Sequence, residues 1–274
     1  MIPKIIQKGD LQLEYFTKGE GSQTVICLHG HGRTVDDFTF LQQENRKWVA
    51  LHLFYHGKSH FPEHRIEQNP LTTQEFVSIF EALLAAEKID KFHFVAFSQG
   101  GRFTLASIPY FGDRIQSVSL ISPDGMDNNS FYNKTSRRKW ARRLFSHLED
   151  QPQKFIRYAA IAKAMRLMRP KVYAFVEKFA ADPVTFKRAS LTWRGFRMVQ
   201  PDEEAIAKTL IEKQIPFKIV MGSYDQVIRP LQAYAFTKRI RQEKSVVEIP
   251  CGHNFFKKEN IEKFKDLLFV NLMK

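Results

Sequence analysis

Continuous apolar runs alternate along most of this chain with segments in which apolar residues recur every three or four positions. The runs are short and flanked by turn residues, and they predict strands buried on both faces of a sheet at 24–28, 48–55, 92–97, 117–121, 217–222 and 246–249. The intervening segments predict helices, among them 102–108 and 231–240. Because strand and helix alternate, we expect an α/β protein with a parallel sheet joined by right-handed crossovers.

Local signals mark other elements. Two alternating runs at 4–7 and 11–16 predict an N-terminal hairpin. Thr72 followed by Glu75 is the pattern of a capping box, and it predicts the start of a helix. An amphipathic pattern over 261–273 predicts a final helix.

The pattern changes between about residue 125 and residue 204. This segment contains no strand-like run and shows only helical periodicity, rich in Arg, Lys and aromatic residues, with prolines as breaks. We therefore predict a core made of 1–124 and 205–274, with 125–204 inserted as a helical domain. A chain of 274 residues is long enough for one hydrophobic core and such an insertion.

The net charge of +13 is concentrated in the same segment. Residues 126–200 hold 17 Lys and Arg against 5 Asp and Glu, whereas the rest of the chain is almost neutral. A nucleic-acid binder is not indicated, because no recognition motif accompanies the charge. The basic insertion either serves solubility or attracts an anionic substrate, a carrier-bound one, or a membrane surface.

The sequence shows no pattern typical of a membrane-spanning or secreted protein. No apolar stretch approaches the length of about 18 residues that a membrane span needs, and the N-terminus has no apolar signal region. Cys27 lies in an apolar run and Cys251 in a loop, so the cysteines do not suggest a disulfide framework. We expect a soluble, cytoplasmic protein with no integral membrane segment.

A candidate nucleophile stands between a predicted strand and a predicted helix. Residues 96–100 read Ala-Phe-Ser-Gln-Gly, with a small residue two positions before and two positions after Ser98. This spacing permits a sharp turn that strains the serine backbone and projects the hydroxyl above the edge of the sheet. Backbone N–H groups at the start of the next helix point to the same place, where negative charge develops during acyl transfer.

A serine nucleophile needs a base, and the base needs an acid that orients it. His253 and Asp225 each follow a predicted strand, so we expect both at the carboxyl edge of the sheet, where Ser98 also lies. We predict His253 as the general base and Asp225 as the acid. Asp124, which follows another predicted strand, is an alternative acid.

These residues resemble, in order and spacing, four motifs of the α/β-hydrolase fold superfamily. The matching segments are 29–32 for the oxyanion loop, 96–100 for the nucleophile elbow, 222–225 for the acid loop and 252–253 for the histidine loop. The resemblance covers nearly the whole chain outside the insertion. It implies a mostly parallel sheet of about eight strands flanked by helices. It also implies that the insertion is a cap that roofs the pocket and sets substrate choice.

The resemblance further implies that the N–H groups of His31 and Gln99 form the oxyanion hole. Two departures are visible: Ala96 stands where many relatives have Gly, and 54–59 lacks an acid that relatives often show. A methyl at 96 is small enough for the turn, whereas the second departure leaves the subfamily open. Serine at 98 excludes the haloalkane dehalogenases and epoxide hydrolases, which resemble this fold but need an aspartate there.

Two further sets of polar residues have both a functional and a structural interpretation. Histidines recur every four positions in one stretch, at His52, His56, His60 and His64. This spacing on a helix would suit a metal, but Gly57 and Pro62 interrupt any such helix, so we expect no metal and no other cofactor. Four arginines of the insertion are candidates to pair with a substrate carboxylate: Arg166, Arg169, Arg194 and Arg197.

The sequence therefore predicts a serine hydrolase that acts on a small carboxylic ester through an acyl-enzyme. Hydrolysis of a C–C bond in a diketone-type substrate, which similar capped proteins perform, is one alternative. A non-catalytic protein that binds a small ligand in the same pocket is another. A fluorophosphonate probe distinguishes the enzyme from the binding protein: labelling that Ser98→Ala abolishes supports catalysis, whereas no labelling favours a binder.

Overall fold

The structure, a computed structural model, describes residues 3–127, 131–168, 173, 177 and 180–269, without the side chains of 131–133. Its strands are β1 (Pro3–Lys8), β2 (Leu11–Lys18), β3 (Gln23–Leu28), β4 (Arg46–Leu51), β5 (Phe92–Phe97), β6 (Ile115–Ile121), β7 (Phe217–Gly222) and β8 (Val246–Ile249). These eight strands of the described residues form one sheet in the order β1-β2-β4-β3-β5-β6-β7-β8.

Helices connect the strands. The described helices are α1 (Thr73–Ala86), α2 (Gln99–Phe111), α3 (Phe131–Ser136), α4 (Lys139–Leu148), α5 (Pro152–Ala164), α6 (Pro183–Gly195), α7 (Glu203–Glu212), α8 (Pro230–Arg239) and α9 (Lys258–Phe264). Short 3₁₀ helices occupy Val35–Leu41, Glu63–Arg65, Glu243–Ser245 and Lys265–Leu267. At the start of α1 the capping box is formed, with Thr72 and Glu75 each accepting from the other's backbone N–H.

The sheet is parallel from β4 through β3 and β5 to β8, whereas β2 pairs antiparallel with both β1 and β4, so β2 is the reversed strand among those described. The predicted hairpin, the parallel sheet and the fold class, an eight-stranded α/β-hydrolase sheet flanked by helices, are therefore confirmed. All residues of β5, the strand that leads to Ser98, are buried, because layers cover both of its faces.

Aromatic side chains fill one of these layers. Phe92 and Phe94 point from β5 to the same face, where the ring of Phe80 from α1 lies 5.9 Å and 5.6 Å from theirs. Phe76 of α1 contacts Phe103 of α2 at 4.7 Å between ring centroids. This layer fixes α1 and α2 against the sheet.

The opposite face of β5 carries Val95 and Phe97, which belong to a second buried cluster. Trp48 of β4, Phe38 of the first 3₁₀ helix and Phe264 of α9 belong to the same cluster. The carboxyl ends of the central strands are therefore held between two apolar layers, which gives the loops that follow them a rigid base.

Two predicted elements differ from the structure. The strand predicted over 48–55 ends at Leu51, because the chain leaves the sheet there and turns at Phe54 and Tyr55, where φ is 67° at Tyr55. The helix predicted over 261–273 begins earlier and ends at Phe264, where a 3₁₀ turn brings Leu268 into the core. Residues 270–273 of that prediction lie outside the described residues.

The chain divides into two compact units. The core unit comprises Met1–Phe61, Thr72–Asn128 and Met198–Lys274, and the helical unit comprises Pro62–Leu71 and Asn129–Arg197. The predicted boundaries left 62–71 with the core. This segment joins the helical unit, where Arg142 and Arg194 bind the carboxylate of Glu67 and Arg197 donates to its backbone carbonyl.

A buried histidine in β5 makes the stability of the fold depend on pH. Nδ1 of His93 lies 2.8 Å from the hydroxyl of Ser117, and burial, with a smaller effect from Arg46, lowers the pKa of His93 to about 4. The unfolded chain binds a proton at about pH 6.5, whereas the folded chain does not until about pH 4, so acid favours unfolding within this window.

We expect the free energy of unfolding to fall by on the order of 2 kcal/mol between pH 7 and pH 5 through this one group. The variant His93→Asn should show a smaller loss over the same interval, measured by urea unfolding at several pH values. His60→Asn is the matched control, because the side chain of His60 is exposed. Equal pH dependence in wild type and His93→Asn would contradict the assignment.

Candidate active site

Ser98 lies in a strained turn between β5 and α2. Its backbone has φ 48° and ψ −116°, a conformation that costs a non-glycine residue free energy and needs support from its surroundings. The support is visible in hydrogen bonds: the N–H of Ser98 donates to Ile121 O at 3.0 Å, and its carbonyl accepts from Gly101 and Asp124, each at 2.8 Å.

Gly100 explains why this turn needs a glycine two positions after the serine. A Cβ at Gly100 would lie 2.2 Å from the carbonyl oxygen of Leu28 in β3, closer than any real contact. Helix α2 therefore starts directly against the end of β3. Ala96, the departure noted in the sequence, is buried within β5 and is compatible with the turn.

A continuous hydrogen-bonded chain joins the three predicted catalytic residues. Nδ1 of His253 donates to Oδ2 of Asp225 at 2.6 Å, which leaves Nε2 as an acceptor. The hydroxyl of Ser98 lies 3.2 Å from that Nε2. The geometry is that of a nucleophile, a base and an orienting acid within hydrogen-bond reach of one another.

Asp225 is buried and accepts four hydrogen bonds. One oxygen accepts from the N–H groups of Val227 and Ile228 at 2.8 and 3.0 Å, and the other accepts from His253 and from the hydroxyl of Ser122. Burial alone would raise the pKa of Asp225, but these hydrogen bonds, led by that of His253, outweigh it and hold the pKa below its ordinary value. The carboxylate therefore stays ionised beside the imidazole.

Ser122 is a site residue that sequence reasoning missed. Its hydroxyl donates to Asp225 at 2.6 Å and lies 3.4 Å from Nδ1 of His253. Its backbone has φ 40° directly after β6, so it follows a buried strand just as Ser98 does. The position after a strand was the available signal, but only the neighbouring strand's register brings this hydroxyl to Asp225.

Asp124, the alternative acid, is engaged elsewhere. Its two carboxylate oxygens accept from Nε and Nη2 of Arg102 at 2.8 and 3.1 Å, and one also accepts from the N–H of Gly125. The guanidinium of Arg102 is buried. Asp124 thus serves an ion pair at the start of α2, and Asp225 is the acid that contacts His253.

Of the two predicted oxyanion-hole residues, Gln99 directly follows Ser98 and His31 lines the same cavity, and their role stays a prediction. Gln99 is the first residue of α2, so its N–H belongs to the group that helix geometry leaves without an intrahelical acceptor. His31 lines the cavity beside Ser98, and the next N–H, of Gly32, donates to Nε2 of His56 at 2.8 Å. The Gly32 N–H is thus engaged by His56.

Four imidazoles pack edge to face behind this loop. Ring centroids lie 5.4 Å apart for His52 and His29, 4.7 Å for His29 and His56, and 5.8 Å for His56 and His31. Nδ1 of His29 donates to Gly30 O and its Nε2 accepts from a backbone N–H, while burial holds its pKa well below the ordinary value. The two nitrogens of His29 hold loops together. Among the described residues, no group of three or more His, Cys, Asp or Glu is placed to hold a metal ion.

A cavity of about 290 Å³ opens at Ser98 and His253. The remaining lining residues are His31, Arg33, Phe97, Val227, Asn254, Phe255 and Phe256. The guanidinium of Arg33 forms an ion pair with Asp37 and lies over the ring of Phe256. The wall of the cavity is therefore largely aromatic, and the guanidinium of Arg33 already has Asp37 as its partner.

The predicted anion-binding arginines have other partners in the helical unit. Arg194 is buried and pairs with Glu149 and Glu67, and Arg197 donates to the carbonyl oxygens of Ile66 and Glu67. Arg166 is exposed, at a positive φ of 60° just after α5. Arg169 lies outside the described residues. Carboxylate binding by these arginines stays a prediction, and at Arg194 a substrate would compete with two glutamates.

A family model for the alpha/beta hydrolase fold matches residues 23–259. The chain therefore belongs to the α/β-hydrolase fold family.

Individual relatives are distant. A probable lysophospholipase of Arabidopsis thaliana, BODYGUARD 4, is 27% identical over 125 residues, which is 43% of this chain and 29% of the relative. MGS-M2, an alpha/beta hydrolase enzyme from a Medee basin deep-sea metagenome library, has a TM-score of 0.69 at 14% identity, covering 99% and 98% of the two chains. An esterase from Thermogutta terrifontis has a TM-score of 0.63 at 16% identity, covering 92% of both. The two solved structures share the fold.

The helices were also predicted to include no membrane span. Within the described ranges, every helix is too short or too polar to cross a bilayer.

Replacing Asp225 and Asp124 separately tests which acid supports Ser98. In Asp225→Asn the amide would face Nδ1 of His253 and favour the tautomer whose Nε2 carries the proton, so it can no longer accept from Ser98. We expect labelling of Ser98 by a fluorophosphonate to slow by on the order of 10⁴-fold. Mass spectrometry of the intact protein measures the rate.

Asp124→Asn serves as the control. It weakens the ion pair with Arg102, so we expect a lower Tm but a labelling rate near that of wild type. If Asp124→Asn slows labelling as strongly as Asp225→Asn in folded protein, Asp225 is not the sole orienting acid.

Proposed function

We propose that this protein is a serine hydrolase that cleaves a small carboxylic ester through an acyl-enzyme. The observation that carries the proposal is the hydrogen-bonded chain from Ser98 through His253 to Asp225. It lies at the wall of a cavity of about 290 Å³, a volume at the lower end of those that hold small ligands.

In the proposed acylation step, Oγ of Ser98 attacks the carbonyl carbon of the ester while Nε2 of His253 takes the serine proton. Asp225 stabilises the imidazolium that results, because its own pKa is low enough to keep it ionised. The N–H groups of His31 and Gln99 bind the oxygen on which negative charge develops. Collapse of this intermediate breaks the ester bond, and His253 returns the proton to the leaving alkoxide.

Deacylation repeats the sequence with water. His253 takes a proton from the water as its oxygen attacks the acyl carbon, and the second intermediate releases the carboxylic acid and restores Ser98. No step needs a cofactor. The free enzyme is regenerated with the charges it had at the start.

The cavity and the relatives support an ester with an apolar acyl part. Phe97, Phe255 and Phe256 give the cavity an aromatic wall, which suits burial of hydrocarbon. The relatives reported above include one named as a probable lysophospholipase and one named as an esterase. A cytoplasmic location stays a prediction.

A panel of p-nitrophenyl esters that differ in acyl length and charge tests the proposal. We expect hydrolysis by wild type, and in Ser98→Ala a loss of kcat of on the order of 10⁴-fold or more, because the nucleophile is gone. Release of p-nitrophenolate measures the rate, with burst kinetics reporting the acyl-enzyme.

Ser223→Ala is the matched control, since Ser223 is an exposed serine in the loop that holds Asp225. It should retain wild-type rates. Failure of wild type to hydrolyse any ester, together with failure to react with a fluorophosphonate, would instead favour the non-catalytic ligand-binding alternative.

A further inference from the structure

The helical unit exposes large apolar side chains that globular surfaces usually cover. They lie on α4, on α5 and in the turn that follows α5: Trp140, Leu144, Tyr158, Ile161, Met165 and Leu167. Trp140 is 62% exposed and Leu167 76% exposed. Large apolar side chains that are exposed together on two neighbouring helices indicate an interaction surface.

On α4 the exposed residues form two adjacent rows. Trp140 and Leu144 are one turn apart in the apolar row, and Lys139 and Arg143 form the neighbouring row at the same spacing. Two cations therefore lie directly beside two apolar side chains on the exposed side of this helix.

Helix α5 repeats the combination. Tyr158, Ile161 and Met165 follow one another at helical spacing on its exposed side, and Lys154 and Arg157 lie on the same side one turn earlier. Neither cation forms an ion pair within the described part of the chain.

The inner sides of both helices pack on α6. The ring of Phe145 of α4 lies 4.6 Å from that of Trp193, and the ring of Phe155 of α5 lies 5.0 Å from that of Phe186. Since α6 is behind both helices, their exposed sides point away from it. We call these exposed sides the α4/α5 face, defined by Lys139, Trp140, Arg143, Leu144, Lys154, Arg157, Tyr158, Ile161 and Met165.

Charge separates this face from the interior of the same unit. Inside, Arg142 and Arg194 are buried and paired with Glu67 and Glu149. Outside, Lys139 and Arg143 have no carboxylate partner within the described ranges. The excess positive charge of the segment is therefore displayed on its surface, next to apolar side chains.

We propose that the α4/α5 face docks on a lipid bilayer that contains anionic lipids. Trp140 and Tyr158 suit the boundary between headgroups and acyl chains, Leu144 and Ile161 suit the acyl side, and the cations attract the negative headgroups. Long Lys and Arg side chains keep their charge in the headgroup layer while their stems cover hydrocarbon. The apolar row distinguishes a bilayer from an acidic protein as the occupant, because charge alone suffices for the latter.

The fluorescence of Trp140 can report contact between the α4/α5 face and a bilayer. Of its three tryptophans, Trp48 and Trp193 are buried and Trp140 is exposed. We expect vesicles of phosphatidylcholine mixed with phosphatidylglycerol to shift Trp140 emission to shorter wavelength, and brominated acyl chains to quench it. Vesicles of phosphatidylcholine alone should give a much smaller shift, and added salt should reverse binding.

Two double variants and a matched control test which side chains matter, with vesicle cosedimentation as the measurement. Lys139→Gln/Arg143→Gln and Trp140→Ala/Leu144→Ala should each weaken binding by on the order of tenfold. The control Lys208→Gln/Ile211→Ala removes a similar exposed pair from α7 of the core unit and should bind as wild type does.

Several results would overturn the proposal. One is the absence of a Trp140 shift with anionic vesicles; another is wild-type binding by Trp140→Ala/Leu144→Ala. Binding of polyglutamate that depends on Lys139 and Arg143, without a response to vesicles, would indicate an acidic protein partner instead. Ser98→Ala should bind vesicles as wild type does, so this test stands apart from that of the ester hydrolase.

Discussion

The active-site geometry depends on the strained turn at Ser98. A serine with φ 48° is tolerated because both of its backbone polar groups are bonded and because Gly100 lets α2 begin against the carbonyl of Leu28. The same close packing sets the start of α2 directly after Ser98. Strain, the start of a helix and the position of the nucleophile are therefore one structural arrangement.

Because the carboxyl ends of the strands are buried, charged and polar groups there need hydrogen-bond partners. Asp225 receives four hydrogen bonds, and the ring nitrogens of His29 and His56 bond to loop backbone. Neutral histidines accept from backbone N–H groups where a carboxylate would carry an uncompensated charge. The imidazoles of His29 and His56 thus hold together the loops around Ser98.

The helical unit shows the difference between the amount of charge and its arrangement. Composition alone allowed any of its arginines to meet a substrate anion. The structure instead sets Arg194 between two glutamates and leaves Arg143 on the surface beside Leu144. A buried arginine needs hydrogen-bond acceptors, and Arg142 and Arg194 find theirs in Glu67 and Glu149. Arg143, by contrast, is exposed and can contact another molecule.

The sequence by itself determined the sheet, the elbow at Ser98 and the loops of Asp225 and His253, because hydrophobic periodicity and small residues around a turn are local properties of the chain. Only the tertiary structure brings Asp225, rather than Asp124, into contact with His253, and only it brings the hydroxyl of Ser122 to Asp225. These choices depend on strand register and on competing partners such as Arg102, which come from distant parts of the chain. Local patterns place residues at the edge of a sheet, whereas hydrogen-bond geometry across neighbouring strands selects which of them meet.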